Sequence, residues 1–102
     1  MTWTTIGKND IPVGESKCYA LDGVTSIIVF NVKGKFYALE NKCSHVGAPL
    51  SEGTLSKTTL TCAFHGAQFD VTTGTVLAWP ATKNVKSYPV RIENDELQVD
   101  VI

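Results

Sequence analysis

Short runs of β-prone residues, each ended by a turn signal, occupy most of this 102-residue chain. The run TSIIVFNV, residues 25–32, leads through Lys33–Gly34 into KFYALE, residues 35–40. Asp22–Gly23 precedes the run of residues 25–32. Asn94–Asp95 separates the last two β-prone runs of the chain, VKSYPVRIE and ELQVDVI. Two-residue turns between β-prone runs are typical of hairpins, and no long stretch has a helical period. The pattern predicts an all-β fold, an antiparallel β-sandwich or small barrel.

The length fits one domain, whose core is marginal unless something further stabilises it. Nine basic and ten acidic residues nearly balance, and no charged run favours nucleic acid or a membrane surface. Apolar runs such as IIVF have four residues, far fewer than a membrane span needs. The N-terminal MTWTTIGKND lacks the features of a signal peptide. We therefore expect a soluble, cytoplasmic monomer with reduced cysteines, which binds neither nucleic acid nor membrane.

Two cysteine–histidine pairs contain both histidines of the chain and two of its three cysteines. The first pair is Cys43 and His45, and the second is Cys62 and His65. Each pair falls on a connection between β-prone runs, so we expect two neighbouring loop tips that each offer one thiolate and one imidazole. A single histidine is usually an ordinary core or loop residue. That interpretation does not account for two histidines at ligand spacing from separate cysteines.

Two kinds of metal centre accept two cysteines and two histidines. Tetrahedral zinc does so, although common zinc patterns begin with two close cysteines and end with two close histidines. A two-iron, two-sulfide cluster takes Cys43 and Cys62 on one iron, and His45 and His65 on the other. From spacing alone, both centres remain open.

The pattern C-x-H, sixteen residues, then C-x-x-H, with a glycine after each pair, resembles the signature of Rieske iron–sulfur proteins. The downstream run HGAQFDVTTGTVLAWPAT is also similar to that family in its Phe-Asp, its Thr-Gly turn and its Pro-Ala loop. The resemblance implies that Cys43, His45, Cys62 and His65 bind a [2Fe–2S] cluster. It also implies a single Rieske domain over residues 1–102, with a cluster-binding part at about 41–82 inserted in a β base.

Neutral imidazoles in place of thiolates leave the cluster less negative, so it accepts an electron more readily. The resemblance thus implies a potential of about −150 to +300 mV, against about −400 mV for plant-type ferredoxins. Gly47 and Gly66 suit loops whose backbone approaches a cluster closely, and Pro80 resembles the family's third loop.

Departures from the family pattern indicate the subtype. Quinol-oxidising members carry a disulfide where this chain has Ala48 and Phe64, and hydroxyl groups where it has Ala67 and Phe69. A Rieske oxygenase needs a large further domain, for which this chain has no room. The resemblance therefore implies a ferredoxin, a one-electron carrier between a flavin-dependent reductase and a terminal oxygenase, and not an enzyme. The alternatives are a small Rieske subunit of a larger reductase, such as a nitrite reductase complex, and a purely structural metal domain.

The remaining cysteine and aromatic residues have packing roles in our interpretation. Cys18 lies in a β-prone run without a metal-binding neighbour, so we expect a small buried apolar residue and not a ligand. Core or edge packing is expected of Trp3, Tyr19, Phe36 and Tyr37. Trp79 and Pro80 are expected near the cluster, in a small apolar face that a redox partner contacts.

Overall fold

The computed structural model describes residues 3–20, 26–41, 53–63, 66–79 and 83–100. Within these ranges every regular element is a β-strand, which confirms the predicted all-β fold. The strands are β1 (Trp3–Lys8), β2 (Ser16–Ala20), β3 (Ser26–Val32), β4 (Lys35–Glu40), β5 (Thr54–Ser56), β6 (Thr59–Thr61), β7 (Gln68–Asp70), β8 (Val76–Ala78), β9 (Ser87–Tyr88), β10 (Val90–Glu93) and β11 (Glu96–Asp100). The described residues contain no helix long and apolar enough to cross a membrane.

The strands form three antiparallel sheets. Sheet A has the order β1-β11-β10, sheet B the order β2-β3-β4-β9, and sheet C the order β5-β6-β7-β8. Sheet C is built from residues that lie between β4 and β9 of sheet B in the chain. The chain therefore leaves sheet B after β4, builds a complete four-stranded sheet, and returns to pair β9 with β4.

Strand β3 is buried on both faces and joins two apolar clusters. Ile27 and Val29 pack into one cluster with Leu97 of sheet A. Ile28 and Phe30 pack into the other, which contains the buried side chains of sheet C. Because neighbouring residues of a strand point to opposite faces, one continuous apolar run in β3 holds sheet A on one side and sheet C on the other.

Two of the predicted hairpin turns are present as predicted. Lys33 and Gly34 connect β3 to β4 with positive φ angles of 54° and 91°, as a type I′ turn requires. The Asn31 side chain supports this turn, since its Oδ1 accepts a hydrogen bond from Gly34 N–H at 2.9 Å. Asn94 and Asp95 connect β10 to β11 with φ angles of 52° and 63°. The third predicted turn, Asp22–Gly23, lies outside the described residues.

The β-prone run VKSYPVRIE, residues 85–93, forms two strands in the structure. Pro89 separates β9, which pairs with β4 of sheet B, from β10, which pairs with β11 of sheet A. Proline has no N–H to donate to a ladder, so the chain changes sheets at this residue. The Pro89 carbonyl still accepts a hydrogen bond from Asp100 N–H at 3.0 Å.

The expectation that Cys18 is buried is wrong. It lies on β2, the edge strand of sheet B, with its thiol exposed. The neighbouring Tyr19 takes the inward position, and the alternation of a strand then turns Cys18 outward. Its Sγ accepts a weak hydrogen bond from Asn41 Nδ2 at 3.6 Å.

The predicted packing roles of the aromatic residues are confirmed. Tyr19 and Phe36 pack against the apolar cluster between sheets A and B, and Tyr37 is half-buried on β4. Trp3 lies on the edge strand β1, where the Arg91 guanidinium stacks 4.3 Å from its ring centroid.

Candidate metal centre

Of the four predicted ligands, the structure describes Cys62. Cys43, His45 and His65 lie outside the described residues. Among the described residues, no three or more metal-binding side chains come together. The geometry of the candidate centre is therefore that of Cys62 and the hairpin that carries it.

Cys62 is placed by the β6–β7 hairpin of sheet C. Thr61 and Gln68 are the last paired residues of the ladder, and Gln68 Nε2 donates to Thr61 Oγ1 at 3.3 Å. Beyond this pair, the Cys62 N–H donates to the Ala67 carbonyl at 2.7 Å. Four residues, 63–66, connect Cys62 to Ala67. His65 is therefore confined by the chain to the same short loop as Cys62.

Gly66 has a conformation that this short connection needs. Its φ angle is +76°, a left-handed value that costs a glycine little because it has no Cβ. It comes directly before Ala67, whose carbonyl closes the loop. The glycine following the second cysteine–histidine pair thus has a definite role in turning the chain.

Cys62 is almost fully buried, with 2% of its surface exposed. Its apolar surroundings are one cluster that includes Leu60, Ala67 and Phe69. An unpaired thiolate is costly in such a place, and reactive cysteines are normally more exposed. Burial here fits a packed neutral thiol or a thiolate bound to a metal, and it disfavours a cysteine nucleophile. The position at the closed end of a hairpin, in one loop with a histidine, fits the metal ligand.

A second turn of sheet C holds the chain that returns towards sheet B. Asp70 shapes the β7–β8 turn, since its Oδ1 accepts from Thr72 N–H at 2.9 Å and from Thr72 Oγ1 at 2.7 Å. Gly74, with φ +81°, donates its N–H to the Asp70 carbonyl at 2.7 Å. The Thr-Gly of this turn was part of the resemblance to the Rieske family. The structure explains the glycine, which has a left-handed backbone conformation and closes the turn on Asp70.

Asn84 and Val85 join the segment that follows Pro80 to this turn. Val85 N–H donates to the Gly74 carbonyl at 2.9 Å, and Asn84 Oδ1 accepts from Val76 N–H at 2.9 Å. Sequence reasoning missed both residues, because nothing in a lone asparagine indicates that it pairs with a strand eight residues earlier. Pro80 itself lies outside the described residues.

Comparisons with known proteins agree with this geometry. The family model of the Rieske [2Fe-2S] domain matches residues 2–89. The ferredoxin component of the naphthalene 1,2-dioxygenase/salicylate 5-hydroxylase systems of a Ralstonia species is 41% identical over 86 residues, which are 84% of this chain and 82% of that protein.

Two solved structures have closely similar folds. The ferredoxin of Sphingomonas yanoikuyae B1 superposes with a TM-score of 0.90 at 30% identity, over 97% of this chain and 98% of that one. A chain in the complex of reduced oxygenase and oxidized ferredoxin of carbazole 1,9a-dioxygenase gives a TM-score of 0.89 at 33% identity. The match covers 95% of this chain and 91% of that one.

Proposed function

Because the chain belongs to the Rieske [2Fe-2S] domain family, we propose that it is a ferredoxin that carries single electrons to a terminal oxygenase. The Ralstonia relative is a ferredoxin component of an oxygenase system, and a solved relative occurs in a complex of oxygenase and ferredoxin. Its cofactor is a [2Fe–2S] cluster, which supplies one-electron chemistry when bound. The chain is a carrier and not an enzyme by itself.

We assign the cluster to Cys43, His45, Cys62 and His65. Cys43 and Cys62 would bind one iron, and His45 and His65 the other. The observation that carries this assignment is the closed end of the β6–β7 hairpin, where the Cys62 N–H bonds to Ala67 and only residues 63–66 intervene. A loop this short keeps a thiolate and an imidazole together, as one half of a four-ligand site.

The cluster-binding part, in this proposal, is about residues 41–82, and the rest of the single domain is its base. Sheet C supports that division, since it lies between β4 and β9 of sheet B in the chain. Val85 and Asn84 then join the returning chain to the β7–β8 turn.

The partners follow from the chemistry of the named relative. A system that includes naphthalene 1,2-dioxygenase or salicylate 5-hydroxylase hydroxylates aromatic compounds. We place this chain in such a system, with a flavin-dependent reductase as donor and an aromatic-ring oxygenase as acceptor. The proposal also includes a cytoplasmic location, where thiolate ligands remain reduced.

Iron and sulfide content, followed by electron transfer, tests the proposal. Protein purified without oxygen should hold two irons and two labile sulfides per chain, and should pass one electron to an oxygenase component in a stopped-flow mixture. One zinc per chain with no sulfide would contradict the cluster assignment. A cluster that forms but reduces no oxygenase, in a chain that co-purifies with a reductase, would favour the alternative of a small subunit of a larger reductase.

A further inference from the structure

Strand β10 has a free edge in sheet A. The order β1-β11-β10 gives it one neighbour, and no strand in the described part of the chain pairs with its other side. Hydrogen-bonded and non-hydrogen-bonded pairs alternate along an antiparallel ladder, and the Asp100 N–H donates to the Pro89 carbonyl at 3.0 Å. Counting from that bond, Val90 and Ile92 occupy the non-hydrogen-bonded pairs of the β10–β11 ladder. Their N–H and C=O groups therefore point to the free edge.

A groove beside this edge leaves room for another strand. The chain leaves sheet B at Pro89, so β10 diverges from β4 instead of pairing with it. The groove between them has a volume of about 330 Å³ and is lined by residues 34–37 and by Val90, Arg91 and Ile92. Ile92 projects to the same face of β10 as Val90, which packs against the apolar cluster, yet 39% of its surface is exposed. An apolar side chain and outward-pointing backbone groups thus face one groove.

The charges of β10 select one register for pairing with a second copy of the same strand. Outward-pointing residues of one copy must face outward-pointing residues of the other. With Ile92 opposite Ile92, the two-fold symmetry sets Arg91 opposite Glu93 twice. The two neighbouring registers set Arg91 opposite Arg91, or Glu93 opposite Glu93. Opposite charges across strands are stabilising and like charges are destabilising, so the first of these registers is favoured.

The Arg91 side chain is already positioned for a carboxylate. Its Nε donates to Gln98 Oε1 at 2.7 Å, and its guanidinium stacks on Trp3. Glu93 of the same strand brings Oε2 to 4.0 Å from Nε, although residues two apart on a strand are separated by about 6.6 Å. A directly opposite glutamate begins nearer, with about 4.5–5.5 Å between Cβ atoms. Glu93 of a second copy can therefore reach the Arg91 guanidinium while Gln98 and Trp3 hold it in place.

Three other edges of the described sheets lack such a match. Strand β1 is interrupted by a bulge between Thr5 and Gly7, and bulges discourage edge pairing. At the start of β8, Asn84 Oδ1 accepts the hydrogen bond of the Val76 N–H. Strand β2 has one charged residue, Lys17, so pairing of β2 with a second β2 joins no opposite charges.

We propose that the protein forms a weak dimer with a second copy of itself through β10, in which the two three-stranded copies of sheet A become one antiparallel sheet. This dimer does not depend on the proposed function. A pair of four-residue strands covers much less than the roughly 2,000 Å² or more of obligate dimers, so monomer and dimer exchange. The monomer expected from the sequence is then the form at low concentration.

Sedimentation equilibrium of the cluster-loaded protein, from micromolar to millimolar concentration in about 0.15 M salt, tests the dimer. The weight-average mass of the wild type should rise with concentration. Arg91→Glu and Glu93→Arg each set like charges opposite each other, and each alone should dimerise at least about tenfold more weakly. An equimolar mixture of the two variants should associate at least as strongly as the wild type, because every facing pair then joins opposite charges.

Lys17→Glu and Glu15→Lys are the matched control pair. They change the net charge by the same amounts near the β2 edge, and the Lys17 side chain is exposed nearly as much as that of Arg91, 46% against 42%. Alone or mixed, the two control variants should associate like the wild type. Iron and sulfide content should be that of the wild type in every variant.

Ile92→Pro tests the backbone pairing separately from the charges. It keeps Arg91 and Glu93 and removes the outward N–H, a change that an edge strand tolerates. It should weaken dimerisation as the two charge variants do. Wild-type association in Ile92→Pro would show that the backbone of β10 does not pair with a second copy.

Three further outcomes would overturn the inference. A wild type with one mass at every concentration would refute the dimer. A mixture of Arg91→Glu and Glu93→Arg that stays monomeric would exclude this register. Association that is lost in Lys17→Glu and kept in Arg91→Glu would place the interface on β2.

Discussion

The base, which consists of sheets A and B, differs from sheet C in the length of its strands and in how they are buried. Strands β1 to β4 and β11 have five to seven residues each, whereas all four strands of sheet C have three. Sheet B is covered on both faces, by the two apolar clusters that β3 joins. Sheet C shares one of these clusters, and both Leu77 on its last strand and Trp79 directly after that strand are exposed.

Turns compensate for the short strands of sheet C. The β7–β8 connection alone contains bonds from Thr72, Gly74 and Thr73 N–H groups to Asp70, and a bond from Asp70 N–H to the Thr75 carbonyl. Hydrogen bonds of this kind contribute about 1 kcal/mol each, while a fully buried large apolar side chain contributes about 1.5–3 kcal/mol. The base can therefore persist through local damage better than sheet C, whose order depends on its turns and on the bound cluster.

Substituting one of the proposed cluster ligands should unfold sheet C and leave the base folded. Cys62→Ser is expected to reduce the iron content from two per chain to nearly none, because metal binding and local folding are coupled. Amide hydrogen exchange should become fast in β6 and β7 and remain slow in β3 and β4. His65→Ala, Cys43→Ser and His45→Ala should behave in the same way.

The exposed Cys18 provides the control for this experiment. Cys18→Ala should retain both irons and the exchange pattern of the wild type, since its thiol lies on the edge of sheet B. Loss of iron from Cys18→Ala, or its retention in Cys62→Ser, would show that the assigned ligand set is wrong. Fast exchange throughout the chain after Cys62→Ser would show that base and sheet C do not differ as described.

Gly74→Ala tests the turn that supports sheet C. Its φ is +81°, and a Cβ at this position would collide with the Val85 carbonyl oxygen. We expect the free energy of unfolding to fall by about 3 kcal/mol, from the left-handed backbone and the collision together. Denaturant titration measures this value.

Gly14→Ala separates the two causes. Gly14 has a φ of +84° with no atom within 4 Å of its Cβ position. Its substitution should cost about 1–2 kcal/mol, the backbone term alone. Equal losses in the two variants would mean that the contact between Gly74 and Val85 does not matter for stability.

The apolar surroundings of Cys62 should keep the reduction potential low. Ala67 and Phe69 are fully buried in the same cluster as Cys62, and neither offers a hydroxyl group. Hydrogen bonds to cluster sulfurs raise the potential, so we expect a wild-type value in the lower part of the range of about −150 to +300 mV. A hydroxyl group that stabilises the reduced state by about 1 kcal/mol would raise the potential by about 40 mV.

Ala67→Ser and Phe69→Tyr install those hydroxyl groups one at a time. Protein-film voltammetry should give a higher potential for each variant, and Leu55→Thr, in sheet C but outside the Cys62 loop, should leave the potential unchanged. A wild-type midpoint near the top of the range would refute the argument from missing donors.

The sequence pattern predicted most of the strands, including the three-residue strands β6, β7 and β8 within the runs TTLTC, AQFDV and TVLAW, and it missed β1 and β5. Strands β3, β4 and β11 are where the pattern placed them, because burial dictates their residues. Strand β5, Thr54–Ser56, was not predicted, since it contains a single apolar residue and no β-prone run surrounds it. Strand β1 was missed because its residues are mostly half-buried and alternate weakly in hydrophobicity.

The sequence predicted the ligands of the candidate site from their chemistry. It did not predict the hydrogen bonds that hold the surrounding turns in place. Two cysteine–histidine pairs are visible at fixed spacing in the sequence. Gly66, which comes directly after the second pair, was expected in a loop for that reason. The bonds of Asn84 and Val85 to the β7–β8 turn join residues from separate parts of the chain. They depend on where the returning chain packs, which one sequence does not reveal. The exposure of Cys18 was missed for a similar reason, because the sequence pattern of a strand does not show which of its faces packs against the rest of the protein.

The smallest expected effect on stability concerns Tyr19, which lies on β2 in the base. Its ring lies against Gly7, where an added Cβ would be 2.8 Å from Cε1, and its hydroxyl is buried without a hydrogen-bond partner in the described part of the chain. A buried hydroxyl that lacks a partner costs about 1–3 kcal/mol. Tyr19→Phe should therefore raise the free energy of unfolding at neutral pH by up to about 1 kcal/mol, as measured by denaturant titration.

The same substitution should change how stability depends on pH. Burial raises the pKa of the Tyr19 phenol, and the nearby Asp10 carboxylate adds to the shift. The folded protein then holds the phenolic proton more tightly than the unfolded chain does. This contribution is complete below the ordinary tyrosine pKa of about 10, and it is lost as the pH rises through the raised value. The wild type should lose more stability than Tyr19→Phe above about pH 10. Parallel curves for Tyr19→Phe and the wild type would show that the phenol of Tyr19 is solvated in the folded protein.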